Sequence, residues 1–224
     1  MAKPGEDRQR RGRAYCARAI GSILLPMSDE LYLSYRQIHR TVKSIAQQIE
    51  TDGFDPDIIV AIGTGGFIPA RILKTFIDRP ILTVGIRAYD ENNRLTERPQ
   101  KIQWIDEVEK KLTGQKILLV DEVDDTRTTL EYCLNELYSH RPAETAVAVL
   151  HRKRKEKRGV IPDFVKRSFV GMEVDDVWIA YPWDALDIDA HCDIADARDK
   201  LAREESGGST TILIRGFFVG MITS

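Results

Sequence analysis

The sequence predicts an α/β fold, a mainly parallel sheet with helices on both faces, and three observations carry that expectation. Uninterrupted apolar runs at residues 58–62, 117–120 and 146–150 have the composition of strands buried on both sides, and residues 81–86 are apolar but for Thr83 and Gly85. Stretches with apolar residues at helical spacing lie between them, and strands alternating with helices build parallel sheets. The run 117–120 ends abruptly in Asp121-Glu-Val-Asp-Asp125, as expected where a parallel strand delivers its carboxyl end to a ligand crevice.

The elements follow in order. Ile38, Val42, Ile45 and Ile49 form one apolar helical stripe that stops before Gly53 and Pro56. Residues 58–62 then read as a strand, 67–77 as a helix and 81–86 as a second strand. The polar stretch between Arg87 and Trp104 is long for a loop inside a compact domain, where such loops are disordered or work as lids. After the strand at 117–120, Leu130, Leu134 and Leu137 mark a helix, and residues 146–150 form the next strand.

Composition bounds the function. The chain has 224 residues, 42% hydrophobic and 30% charged, which suits one globular domain with a full core. Lys+Arg 33 against Asp+Glu 35 argues against a protein built mainly to bind nucleic acid, so substrate phosphates would be met by local groups and a metal. Cys16, Cys133 and Cys192 match neither zinc spacing nor a disulfide framework and fit a reducing, cytoplasmic setting. No stretch approaches the roughly 20 apolar residues of a membrane span. Residues 1–26 are arginine-rich and expected to be a disordered extension, 27–205 to form the folded domain, and 206–224 to be an apolar tail without an assigned role.

The run from Lys116 to Thr129 is the chemical centre. Its carboxylates Asp121, Glu122, Asp124 and Asp125 precede Thr126-Arg-Thr-Thr129, where a helix opening with free N–H groups and hydroxyls favours a phosphate. The magnesium-binding strand of a nucleoside triphosphatase would need an upstream Gly-rich loop ending in Lys-Ser or Lys-Thr. Gly63-Thr-Gly-Gly66 continues instead as Phe-Ile-Pro-Ala-Arg71. A solvated acidic turn explains the charge but not the threonine-rich helix entrance behind it.

The acidic run with its short phosphate-cradling segment resembles the phosphoribosyl pyrophosphate motif of type I phosphoribosyltransferases. Gly63 to Arg71 is similar to the pyrophosphate loop of the 6-oxopurine enzymes, and Trp178-Ile-Ala-Tyr-Pro-Trp-Asp184 to their purine-binding segment. Together the motifs most resemble the fungal xanthine and hypoxanthine-guanine phosphoribosyltransferases. The resemblance implies the type I phosphoribosyltransferase fold, with a small C-terminal hood. It also implies Mg²⁺ as cofactor, phosphoribosyl pyrophosphate and a 6-oxopurine as substrates, no nucleic-acid or membrane partner, and a homo-oligomer, dimer or larger.

Residue by residue, the resemblance implies that Asp121 and Glu122 hold the ribose hydroxyls and orient the metal, directly or through water, with Asp184 a further metal contact. Asp125 falls at the position of the general base that meets the purine N7. Asp125, Thr126, Arg127, Thr128 and Thr129 would cradle the 5′-phosphate, Arg127 standing where the family commonly has glycine and offering a charge-assisted phosphate contact. Thr64, Gly65 and Gly66 would bind pyrophosphate, with the peptide bond before Thr64 in cis, and Arg87 and Tyr89 would open the flexible loop. Lys153 would read the purine O6, Trp178 stack on the ring, and Ile179 and Asp184 read its exocyclic edge. Asp124 is expected to be a solvated or structural carboxylate, and Tyr181 and Trp183 to pack in the core or touch ligand. The alternative is a non-catalytic regulator that senses phosphoribosyl pyrophosphate on the same fold. Such a sensor needs neither a stacking aromatic nor a general base.

Overall fold

The computed structural model describes residues 17–20, 23–26, 30–89 and 95–207. Its chain divides into two units, one of Asp29–Asp184 and one of Met1–Ser28 with Ala185–Ser224. In the smaller unit β1 (Ala17–Ile20) and β2 (Ile23–Pro26) pair antiparallel, inside the stretch whose composition suggested an extension. The apolar tail beyond residue 207 lies outside the described residues.

The larger unit begins with β3 (Glu30–Tyr32) and α1 (Tyr35–Asp52). Ser34 and Gln37 close a capping box at its start, and Gly53 ends it in the left-handed conformation at φ 75. The stripe Ile38, Val42, Ile45 and Ile49 is buried. β4 (Ile58–Gly63) leads to α2 (Phe67–Leu73), shorter than expected, because the Leu73 oxygen accepts from both Phe76 and Ile77 and tightens the last turn.

β5 (Ile81–Tyr89) and β6 (Leu95–Gln103) pair antiparallel, so most of the stretch expected to be a loop is a β-ribbon. This corrects the open-loop expectation. Ladder pairing needs only backbone groups, and an edge strand does not require the apolar run that marks a central one. Arg87 pairs with Gln100 and Tyr89 with Leu95, while residues 90–94 lie outside the described residues. Then follow α3 (Val108–Leu112), β7 (Lys116–Asp124), α4 (Thr128–Tyr138), β8 (Glu144–Lys153), β9 (Arg167–Val174) and β10 (Trp178–Ala180). The smaller unit contributes α5 (Ile188–Gly207).

The main sheet has the order β6-β5-β4-β7-β8-β9 and is parallel except at β5–β6. Alternate residues of its strands feed two cores. Ile59, Ala61, Leu118, Val120, Ala148 and Leu150 pack with α1 and α2 residues, whereas Val60, Ile62, Leu119 and Val149 pack with Leu130, Cys133, Leu134 and Leu137 of α4. That two-sided burial is why these strands read as continuous apolar runs. β10 pairs in parallel with β3 in a separate two-stranded sheet.

Candidate active site

β4 is followed in sequence by β5 on one side and is flanked by β7 on the other, so the winding of the sheet reverses between β4 and β7. Ligands of open α/β sheets bind beyond the carboxyl ends of such strands. The two segments that carry the chemistry leave the sheet at that point. Gly63-Thr-Gly-Gly66 leaves β4 with a cis peptide bond between Gly63 and Thr64, and Asp121 to Asp125 run along and off the end of β7. Both stretches are thereby set face to face. A Cβ on Gly65 would sit 1.9 Å from Cδ of Glu122, so this carboxylate lies against the turn, and a Cβ on Gly66 would lie 2.5 Å from the Val120 main-chain oxygen, which leaves room only for glycine there.

Asp121 is buried and accepts from the Glu122 N–H at 3.0 Å. Burial, and then the neighbouring Glu122 charge, push its carboxyl well above the usual carboxylate range. Two adjacent carboxylates with that electrostatic cost present a donor set for a cation. Among the described residues no group of three or more His, Cys, Asp or Glu side chains gathers to hold a metal alone. The pair nonetheless fits Mg²⁺, which keeps water and takes oxygens from substrate phosphates rather than from an all-protein cage.

Asp125 faces the end of β8. Its Oδ1 lies 2.9 Å from Lys155 Nζ and 3.5 Å from Lys153 Nζ, and both ammonium groups also approach Asp176, at 2.9 Å and 3.7 Å. Hydrogen bonds to Asp176 and then Asp125 push Lys155 above the usual lysine range. Lys153 was the expected O6 reader; the geometry brings Lys155 to the same carboxylate and closer. Thr126 Oγ1 and Thr128 Oγ1 lie 3.2 Å apart at the entrance of α4, and Arg127 is left-handed there at φ 70.

The 178–184 segment splits by exposure. Trp178 is 59% exposed on β10, whereas Ile179 is buried. Tyr181 is buried too, stacked on Trp183 with centroids 4.5 Å apart, its hydroxyl 3.0 Å from the Glu122 oxygen and 2.8 Å from His151 Nδ1. Asp184 ends a single 3₁₀ turn, Pro182–Asp184, and its N–H donates to the Tyr181 oxygen at 3.1 Å. A cavity of about 690 Å³ lined by Lys43, Glu50, Phe54, Phe76 and Arg79 sits at the amino ends of β4 and β5, away from these groups.

The model of the phosphoribosyl transferase domain matches residues 31–181. The chain belongs to the phosphoribosyltransferase family. Within that family, it is 36% identical to xanthine phosphoribosyltransferase 1 of Saccharomyces cerevisiae, over 76% of this chain and 97% of that one. It is 39% identical to the hypoxanthine-guanine phosphoribosyltransferase of Schizosaccharomyces pombe, over 72% and 92%. Among solved structures it is similar to a hypothetical protein from Neisseria gonorrhoeae with bound ppGpp, at 45% identity and TM-score 0.70, covering 77% of this chain and 98% of that one. A purine phosphoribosyltransferase from Pyrococcus horikoshii follows at 25% identity and TM-score 0.55, covering 71% and 96%. The family and the sheet agree with the type I phosphoribosyltransferase fold expected from sequence.

Several groups that organise this phosphoribosyltransferase site escaped the sequence reading. Asp124, expected to be solvated or structural, is the structural carboxylate: it is buried and accepts from Arg127 Nη2 at 2.7 Å, a partner the sequence did not announce. Opposite charges at three-residue spacing were the available signal, but outside a helix that spacing does not imply contact. Lys157 donates to the oxygens of Asp124, Asp125 and Lys153 at 2.7, 2.8 and 2.8 Å, a role no local pattern announces. Among the described residues no helix is long and apolar enough to cross a membrane.

Proposed function

We propose that the protein is a purine-salvage phosphoribosyltransferase that joins C1′ of phosphoribosyl pyrophosphate to N9 of a 6-oxopurine. Xanthine is the favoured base, with guanine and hypoxanthine also accepted. The C1′–oxygen bond breaks, its electron pair leaves with pyrophosphate, and the purine gives up a proton as the new bond forms. The product is the purine nucleoside 5′-monophosphate.

Thr64, Gly65 and Gly66 bind the pyrophosphate, Asp121 and Glu122 orient the ribose hydroxyls, and Asp125 with Thr126, Thr128 and Thr129 surrounds the 5′-phosphate. Asp125 takes the purine proton near N7, within reach of the acid–base role. Trp178 stacks on the ring, Lys153 donates to O6, Ile179 and Asp184 read the exocyclic edge, and Arg87 and Tyr89 lie on the ribbon that closes over the substrates. Asp121 and Glu122, directly or through water, and Asp184 would hold Mg²⁺, which supplies charge to the leaving oxygens when bound.

The observation that carries the reading is the convergence of Lys153 and Lys155 on Asp125, where the end of β8 meets the end of β7. A sugar-phosphate sensor has no use for a general base held by two ammonium groups beside the segment that resembles a purine site. Purified protein with Mg²⁺, phosphoribosyl pyrophosphate and each of xanthine, guanine, hypoxanthine and adenine tests it by nucleotide formed. The reading expects product from the three 6-oxopurines; no product from any base supports the sensor. Cytoplasmic location and assembly as a dimer or larger belong to the same reading, and light scattering tests the assembly.

A second ligand has a specific observation in its favour, the ppGpp held by the Neisseria protein. A guanine nucleotide with added pyrophosphate presents the same base and pyrophosphate chemistry, and we infer that it competes with phosphoribosyl pyrophosphate. Inhibition relieved by raising phosphoribosyl pyrophosphate is expected, and inhibition indifferent to it contradicts the idea.

A further inference from the structure

The segment between β7 and α4 contains a residue whose backbone is at odds with its side chain. Arg127 has φ 70 and ψ −4 at the entrance of α4 and makes no capping hydrogen bond. Glycine adopts this conformation freely, and an L side chain resists it. The local compensation is an ion pair. Arg127 Nη2 and Nε donate to Asp124 Oδ2 at 2.7 and 3.2 Å, and Asp124 is 2% exposed.

Two further cations approach the same buried carboxylate, Lys157 at 3.6 Å and Arg152 at 3.7 Å. Lys157 also ties the oxygens of Asp124 and Asp125 to that of Lys153, joining the ends of β7 and β8. The next two residues continue the grip, since the N–H groups of Arg158 and Gly159 donate to the Thr126 oxygen at 3.0 and 3.1 Å. Gly159 approaches so closely that a Cβ there would lie 2.8 Å from the Arg127 carbonyl carbon. The whole of residues 124–127 is thus held from the protein side.

Resting on the phosphoribosyltransferase reading, we infer that Asp124, Arg127 and Lys157 are positioning residues that preset the 5′-phosphate loop. Asp124 holds Arg127 in the left-handed conformation, and Lys157 fixes the carbonyls that precede it. The loop therefore has its binding shape before the phosphate arrives, and less ordering remains to be done on binding. Arg127 contributes by shape, and its guanidinium serves Asp124 rather than the phosphate.

Two substitutions at one position separate shape from charge. Arg127→Ala removes the anchor and keeps a Cβ, whereas Arg127→Gly removes the anchor but adopts φ 70 unaided. Calorimetric titration of ribose 5-phosphate, and of phosphoribosyl pyrophosphate with Mg²⁺, reads the loop without turnover. Arg127→Ala is expected to weaken both ligands about tenfold, and Arg127→Gly to recover most of that loss. The kcat/KM for phosphoribosyl pyrophosphate should follow the same order, alanine below glycine. Asp124→Asn should weaken binding when Arg127 is present and much less in the Arg127→Gly background, with thermal melts confirming that each variant folds.

Equal weakening by alanine and glycine would mean that the guanidinium itself meets the phosphate, and overturns the inference. So does an Asp124→Asn effect that is the same in both backgrounds. The expected rank order in a protein that makes no nucleotide keeps the positioning role and removes the enzyme reading. No binding of either ligand by the unaltered protein removes both.

Discussion

The Tyr181 hydroxyl donates to the main-chain oxygen of Glu122 at 3.0 Å while standing 2.8 Å from Nδ1 of His151. A carbonyl only accepts, so the single phenolic proton is committed to Glu122, and His151 must carry its own proton on Nδ1. One hydroxyl thereby ties the segment that follows β10 to the acidic end of β7. Tyr181→Phe leaves the His151 N–H and the Glu122 oxygen without this partner in a buried place, at a cost of about 1–3 kcal/mol. Chemical denaturation should read that loss, with higher KM for base and phosphoribosyl pyrophosphate alike; a variant as stable as the parent contradicts the link.

His151 also sets a pH dependence. Burial pushes its imidazole down from 6.5 to about 4. Between those values the unfolded chain binds a proton that the folded chain refuses, so stability falls with pH across that window. The contribution is fully present above pH 6.5, is lost progressively towards pH 4, and amounts to about 3 kcal/mol at most. His151→Asn, which retains a donor near the Nδ1 position, should flatten the stability difference between pH 7 and pH 5. An undiminished difference places its origin elsewhere.

The central strands were legible because burial on both faces leaves no room for polar interruption, as at Ile59 to Ile62 and Ile117 to Val120. β9 was not, since only Phe169 and Val174 of its eight residues are buried. The ribbon β5–β6 leaves no apolar pattern for a related reason: one of its strands is a polar edge held by backbone bonds. At the site, Asp121, Glu122 and Asp125 stood out as charges at a strand end. The Asp124–Arg127 pair, the Lys157 tie and the Tyr181–His151 contact depend on chain segments that meet only after folding.

Asp125→Ala should lower kcat by about 10²–10⁴ while leaving phosphoribosyl pyrophosphate bound, because the proton loses its acceptor but the sugar phosphate keeps its other partners. Single-turnover rates and equilibrium binding separate the two effects. Turnover near that of the parent would remove the assigned base.

Trp178→Ala acts on the other substrate. Loss of this half-exposed aromatic side chain should raise KM for the base about tenfold or more. Unchanged base affinity contradicts the stacking role.

Gly65→Ala places a methyl group on the Glu122 carboxylate, 1.9 Å from its Cδ. One of the two must move, and pyrophosphate binding should weaken by about tenfold or more with kcat/KM for phosphoribosyl pyrophosphate falling in step. Pyrophosphate inhibition constants check this directly, and equal constants for variant and parent would show that the turn does not hold pyrophosphate.

Transfer of the phosphoribosyl group to a 6-oxopurine is decided by product stoichiometry. With Mg²⁺, phosphoribosyl pyrophosphate and xanthine, nucleotide and pyrophosphate should appear one for one, and adenine should give neither. Pyrophosphate released without nucleotide, or no product from xanthine, guanine and hypoxanthine alike, contradicts the account.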